Sequence, residues 1–217
     1  GGCRIFWNYK DNIILQIAAI LCAVSGRGPL RGKSTLFSAD CRNGIDCMTT
    51  ETTCWSSIWQ TDGVTEEYLA GHGRADAYKE LKPADVAYYD GCIELDLSKI
   101  ECMIALPMHP SYAYPIRELK ANAKDLLHEI ETRANEQLSG KVKMDLVSKV
   151  RADGSIYVDQ GIVAGCSGGT YENLCAVADI LRGKSCGNGE FKFSAYPDSM
   201  PTYLELVKNG VVADIVS

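Results

Sequence analysis

The spacing of hydrophobic and polar positions predicts a chain of the α/β class. Apolar residues recur at helical spacing between Pro115 and Ser139, and Gly140 follows them, which predicts the longest helix of the chain. Beyond it the pattern predicts, in turn, a strand at 156–164, a helix at 172–181, a strand at 191–195 and a helix at 202–208. Strands that alternate with helices in this way indicate a layered fold with parallel strands.

The first half of the chain has weaker patterns. Residues 13–24 form the most apolar stretch and predict a buried helix that ends near Gly26 and is too short to span a bilayer. Alternation at 92–97 predicts a half-buried strand, and 103–106 a second short strand. Helical signals at 65–81, broken by glycines, and a helix start near Thr50 complete the pattern.

Both ends of the chain are abrupt. Residues 211–217 are apolar and predict neither a terminal helix nor a polar tail, and the chain starts with Gly1-Gly2-Cys3. We therefore expect a fragment of a longer polypeptide. A change of pattern near 98–102 predicts two domains, at 1–100 and 101–217.

Composition and charge narrow the function classes. The 217 residues carry a net charge of −6, which argues against a nucleic-acid-binding protein. The ten cysteines include no Cys-x-x-Cys pair, and several of them lie within apolar runs. With no signal peptide in the sequence, we expect reduced thiols in a cytoplasmic protein, with neither nucleic acid nor membrane as a partner.

The candidate chemistry centres on residues 163–174, which predict a strand, a tight turn and a helix start with Cys166 at the tip. The turn matches the Gly-x-Ser-x-Gly elbow of α/β-hydrolases with Ser167 as nucleophile. That elbow needs a histidine later in the chain, whereas all three histidines come earlier: His72, His109 and His128. A thiol nucleophile at Cys166, a thiolate that binds metal and a structural cysteine stay open alternatives.

Several segments together carry a resemblance to a known family. The turn reads Gly-Cys-Ser-Gly-Gly-Thr-Tyr-Glu-Asn-Leu at 165–174, and its helix leads to Arg-Gly-Lys at 182–184. Lys-Asp-Asn-Ile-Ile-Leu stands at 10–15, and Cys-Met-Thr-Thr-Glu-Thr-Thr at 47–53. In motif order and spacing, nearly the whole chain resembles the aconitase superfamily of hydro-lyases and isomerases. It departs from the family where Thr-Asn after the cysteine is replaced by Ser167-Gly168.

The resemblance implies roles for two residues. Cys166 falls on the first thiolate ligand of the family's four-iron, four-sulfur cluster, and Glu51 falls on an active-site glutamate that contacts substrate. The alternative interpretation of Glu51 is a helix-capping carboxylate. The family's active-site asparagine falls on Cys47, which departs from the pattern. The other two cluster cysteines of the family form a Cys-x-x-Cys pair further along, so we expect this chain alone to be inactive and to hold no stable cluster.

The resemblance also implies an architecture and a reaction. We expect layered α/β/α aconitase-like domains with mostly parallel sheets, residues 1–100 corresponding to the family's second domain and 101–217 to its third. The parent protein would dehydrate and rehydrate a small hydroxy-polycarboxylate, with the remaining domains of the same protein as partners. The alternatives are a degenerate regulatory or interaction domain without catalysis, and a Ser/Cys hydrolase that uses the Cys166 turn.

Overall fold

The computed structural model divides the chain into two compact units, Gly1–Glu101 and Cys102–Ser217. It describes residues 2–7, 37–49, 57–96, 101–109, 112–187 and 189–217. The predicted helix of residues 10–26 and the predicted helix start near Thr50 lie outside these ranges. The assignment of 1–100 and 101–217 to two aconitase-like domains stays a prediction.

The first unit contains an antiparallel strand pair and two helices. Strand β1 (Gly2–Trp7) pairs with β2 (Gly91–Asp96), which confirms the strand predicted at 92–97. Helix α1 (Ala39–Thr49) was missed by the pattern, because Gly44 and Asn43 lower its helix propensity. The signals at 65–81 correspond to helix α2 (Gly63–Gly71) and a 3₁₀ turn (Ala75–Ala77), so the helix ends at Gly71, the first glycine within the predicted range.

A partly buried ion pair joins α1 to the start of α2. Asp62 caps α2 by accepting a hydrogen bond from the backbone N–H of Thr65. Arg42 of α1 donates to both carboxylate oxygens of Asp62, at 2.9 and 2.6 Å. Its guanidinium also lies 5.5 Å from the centre of the Trp59 ring, and that ring meets Phe37 edge-on. These contacts compensate for the weak helix propensity of α1.

The second unit begins with a hairpin and a broken helix. Strands β3 (Met103–Ala105) and β4 (Ala113–Pro115) pair antiparallel. The helix predicted at 115–139 is two helices, α3 (Ile116–Ala121) and α4 (Ala123–Gln137), because Asn122 leaves the helical conformation with φ −128° and ψ 34°. Four buried side chains form the core beneath them: Leu106, Leu119, Leu127 and Ile130.

The rest of the second unit alternates strands and helices as predicted. Its elements are β5 (Gln160–Ala164), a helical turn α5 (Gly165–Gly168), α6 (Tyr171–Leu181), β6 (Lys192–Tyr196), α7 (Met200–Lys208) and α8 (Val211–Val216). Strands β5 and β6 are parallel, which confirms the α/β class, whereas the two other described pairs are antiparallel. Leu174 and Leu206, each 1 % exposed, bury the inner faces of α6 and α7.

Two predictions for this region are wrong in detail. The strand predicted from residue 156 starts at Gln160, because Ile156 instead pairs with Val150 in a small loop closed by Gly154 in the left-handed conformation. The prediction of no terminal helix is also wrong, since α8 follows Gly210, whose φ of 76° allows a sharp reversal after α7. Among the described residues, no helix is long and apolar enough to cross a membrane.

Candidate functional site

The predicted strand, turn and helix around Cys166 are present in the second unit. β5 ends at Ala164, Gly165 adopts a φ of 75°, and a single helical turn carries Cys166 before α6 begins. The pairing of Ala164 with Tyr196 places the turn at the carboxyl end of both parallel strands. This edge is where parallel α/β sheets present their functional groups. Cys166 is exposed there.

Backbone hydrogen bonds close the turn and attach it to β6. The N–H of Gly169 donates to the carbonyl of Gly165 at 2.8 Å, and the N–H of Asp198 donates to the carbonyl of Gly169 at 2.9 Å. A Cβ on Gly169 would collide with the carbonyl oxygen of Tyr196 and lie 2.8 Å from that of Gly165. Only glycine therefore fits at this position, which explains the second glycine of the Gly-Gly pair in physical terms.

Side chains at the start of α6 complete the turn. Asn173 Nδ2 donates to the carbonyl oxygen of Ser167 at 2.9 Å. Thr170 occupies the N-cap position and is 3 % exposed, but its hydroxyl does not cap the helix and has no hydrogen-bond partner among the described residues. The turn is thus held rigidly around an exposed thiol.

A second polar contact lies on the outer face of the same helix. Asn209 Nδ2 donates to the hydroxyl oxygen of Tyr171 at 3.1 Å. The pKa of Tyr171 is raised above its ordinary value, chiefly by a hydrogen bond with Cys175 one turn along the helix. The hydrogen bond between Asn209 and Tyr171 connects the start of α6 to the end of α7.

Each of the three histidines has its own local surroundings within its unit. His72 belongs to the other unit, where its Nδ1 lies 2.8 Å from the carbonyl oxygen of Tyr68. His128 is on the exposed face of α4, as predicted. The His109 ring meets Tyr112 edge-on at 6.1 Å between centroids.

The other predicted site residue is Glu51, which lies outside the described residues. Cys47, the neighbouring departure from the family pattern, is half-buried near the end of α1. Asp46 accepts hydrogen bonds from Ser57 Oγ at 2.5 Å and Trp59 Nε1 at 2.8 Å, which attaches residues 57–59 to α1. The Arg42 guanidinium lowers the pKa of Asp62 to about 2. The role of Glu51 stays a prediction.

A metal site needs several ligand side chains close together. Among the described residues, no three His, Cys, Asp or Glu side chains come close enough together to hold a metal ion. Cys166 fits one position of an iron–sulfur cluster, because its thiol is exposed on a rigid turn, but a cluster needs further thiolates. The sequence predicts Cys166 but not the hydrogen bond from Asn173 to the Ser167 carbonyl, since one polar residue at a helix start carries no distinctive signal.

A comparison with known protein families identifies the family of the chain. The family model described as "Aconitase family (aconitate hydratase)" matches residues 13–216. The chain belongs to the aconitase family. This match confirms the resemblance in motif order. It also disfavours the hydrolase alternative, because that alternative depended on the Gly-x-Ser-x-Gly pattern alone.

Curated relatives of this aconitase-family chain are dehydratase large subunits. The 3-isopropylmalate dehydratase large subunit of Clostridium beijerinckii is 25% identical over 180 residues, 83% of this chain and 34% of the relative. The protein of the same name from Caldicellulosiruptor saccharolyticus is 25% identical over 216 residues, 97% of this chain and 42% of the relative. The 2,3-dimethylmalate dehydratase large subunit of Eubacterium barkeri is 25% identical over 180 residues, 83% and 34% respectively. The chain thus spans about a third to two-fifths of the relatives it matches.

Proposed function

We propose that this chain is part of a hydro-lyase that removes water from, and returns it to, a small hydroxy-polycarboxylate. The main observation that supports this proposal is the exposed Cys166, which lies at the carboxyl end of two parallel strands within an aconitase-family chain. The names of the relatives, dehydratases of 3-isopropylmalate and 2,3-dimethylmalate, support a branched or alkyl-substituted malate as substrate.

Cys166 is proposed as one thiolate ligand of a four-iron, four-sulfur cluster. Its exposed Sγ can reach an external group while Gly165 and Gly169 hold the backbone on either side. When bound, such a cluster supplies an open iron that acts as a Lewis acid towards the substrate hydroxyl. The chain's own contribution is to hold the Cys166 thiolate in one position through the hydrogen bonds that close the turn.

Glu51 is proposed to contact the substrate near the departing hydroxyl. A carboxylate there can accept or return a proton as water leaves or adds. The role itself rests on the family resemblance.

The proposed partners follow from the coverage and names of the relatives. We infer that the chain works with further domains of a longer protein, and that a small subunit completes the assembly, since the relatives are named large subunits. A reducing compartment such as the cytoplasm suits this proposal, because Cys102 and Cys186 are exposed thiols in addition to Cys166.

A substrate panel tests the proposal. The full-length protein that contains this chain, anaerobically reconstituted with iron and sulfide, is incubated with malates that differ in their alkyl substituents. Formation of the unsaturated acid is followed by ultraviolet absorbance. We expect activity that Glu51→Gln reduces by at least about a hundredfold. Equal activity of wild type and this variant would refute the role of Glu51, and no turnover of any member would refute the hydro-lyase.

The isolated 217-residue chain provides a second test. We expect it to be inactive and to retain no stoichiometric chromophore after the same reconstitution and desalting, because its described residues offer one thiolate at the turn and gather no three-ligand group. The degenerate-domain alternative predicts, in addition, that the full-length protein retains no chromophore. A stable cluster on the isolated chain would contradict the proposal that ligands come from elsewhere.

A further inference from the structure

The turn that carries Cys166 receives a side-chain hydrogen bond from the helix that follows it. Asn173, in the first turn of α6, reaches back to the carbonyl oxygen of Ser167, the residue after the cysteine, at 2.9 Å. The backbone bonds of Gly169 fix the far end of the turn, whereas the Asn173 bond acts within Cys166–Gly168. The orientation of the peptide that links Ser167 to Gly168, one residue beyond Cys166, is therefore coupled to α6 through one amide.

We propose that Asn173 is a positioning residue for the Cys166 thiol, a role that rests on the proposed function only in that Cys166 serves as a ligand. A ligand side chain must be held within about 0.5 Å of its working geometry by packing and by surrounding hydrogen bonds. Asn173 is half-buried, so this bond is shielded in part from water. Its neighbour Leu174 is 1 % exposed and anchors the same turn of α6 in the core.

The chemistry of the amide makes this role separable from helix stability. Only a hydrogen-bond donor can bond the Ser167 carbonyl oxygen, so Asn173→Asp, which is an ionised acceptor at neutral pH, places two acceptors face to face while it preserves the shape of the side chain. Asn173 is the third residue of α6, where a carboxylate interacts favourably with the helix N-terminus. This substitution therefore loosens the turn without weakening the helix.

The chain offers a matched control. Asn209 Nδ2 donates to the Tyr171 hydroxyl at 3.1 Å, and Tyr171, like Asn173, lies in the first turn of α6. This bond does not involve the Ser167 carbonyl. Asn209→Asp thus removes an amide donor from the same helix end and leaves the bond to Ser167 intact.

The test compares wild type, N173D and N209D in the full 217-residue chain. Amide hydrogen exchange is measured at 165–169, and the alkylation rate of Cys166 is compared at one pH with those of Cys102 and Cys186 in the same sample by peptide mapping. We expect N173D to speed exchange at 165–169 by about tenfold and to change the Cys166 to Cys186 rate ratio at least about threefold, as loss of one hydrogen bond implies. N209D leaves both quantities at the wild-type values.

Two results would overturn the positioning role: N173D matching wild type in both quantities, or a parallel change at all three cysteines, which would indicate general loosening. If N173D does not fold, Asn173→Ser is measured in the same way, because its shorter side chain cannot span the distance to Ser167. These readouts need no cluster. A responsive turn in a protein that binds no iron would therefore refute the proposed function while leaving the positioning role intact.

Discussion

The backbone N–H of Asp198 donates to the carbonyl of Gly169 across 2.9 Å and so joins the end of β6 to the Cys166 turn. The same glycine bonds Gly165 at the start of the turn, and its Cα hydrogen faces the carbonyl oxygen of Tyr196. Three backbone segments thus converge on a residue without a side chain. The position of Cys166 depends on that convergence.

Gly169→Ala is expected to destabilise the second unit by about 3 kcal/mol, because its Cβ would overlap with backbone atoms that cannot move independently. Gly189→Ala is the matched control, since nothing lies within 4 Å of a Cβ there. Urea denaturation of both variants followed by circular dichroism measures the difference. Equal stability of the two would show that the turn can relax and that Gly169 is not required.

Acid stability of the first unit should depend on Asp62. The pKa of this carboxyl is lowered to about 2 in the folded protein, chiefly by its hydrogen bonds with Arg42. The contribution of the ionised Asp62 carboxylate to the stability of the folded state is therefore complete above the unfolded pKa of about 4, and it disappears as the pH falls to about 2. This contribution amounts to about 1 kcal/mol after allowance for solvent screening.

Asp62→Asn should remove that pH dependence. Hydrogen exchange of residues 63–71 is measured between pH of about 6 and about 2 and corrected for intrinsic rates. The variant is compared with wild type and with a control, Asp76→Asn, which changes an exposed carboxylate of the same unit. Protection that falls in parallel in all three proteins would contradict the role of the Arg42–Asp62 pair.

Glu131 supports the loop that follows α4. One of its carboxylate oxygens accepts the backbone N–H groups of Leu146 and Val147, at 2.8 and 3.1 Å. Glu131→Ala leaves both donors without this acceptor and should lower the free energy of unfolding by about 1–3 kcal/mol. Amide hydrogen exchange at 146–149 should become faster. Glu129→Ala, on the same helix and paired with Arg133 at the surface, should lower the free energy of unfolding much less. Similar costs for the two variants would exclude a special role for Glu131.

Ile130 tests the core of the second unit. It is 0 % exposed and packs with Leu106, Leu119 and Leu127. Ile130→Ala should lower the free energy of unfolding by about 3 kcal/mol, through lost burial and a residual cavity. Ile180→Ala, where the side chain is 62% exposed, should change it by no more than about 0.5 kcal/mol. A cost at position 130 as small as that at 180 would mean that this cluster is not the core.

The elements that the sequence predicted well are those whose apolar spacing and end signals agree. Helix α6 starts one residue before its predicted bound and ends where predicted, since Leu174 and Ala178 share one buried face. Helix α1 was missed because its stability comes from the contact of Arg42 with Asp62, twenty positions away in sequence. Such a contact leaves no local pattern.

The candidate site likewise combines features that a local sequence pattern predicts with features that depend on distant contacts. Cys166 could be predicted because a glycine-rich turn between a strand and a helix is a local signal, and its order among other motifs identified the family. The collision at Gly169 depends on β6, and the bond from Asn173 depends on the path of the turn. Both arise from the tertiary arrangement, so neither could be read from spacing.

Iron content after anaerobic reconstitution tests the central claim most directly, because it asks whether the Cys166 thiolate binds the cluster. The full-length protein is compared as wild type, Cys166→Ser and Cys186→Ser, with iron and sulfide measured after desalting. The account predicts about four iron atoms in wild type and in the Cys186 variant, and loss of the cluster in the Cys166 variant. A Cys166→Ser protein that retains wild-type iron and dehydratase activity would contradict it.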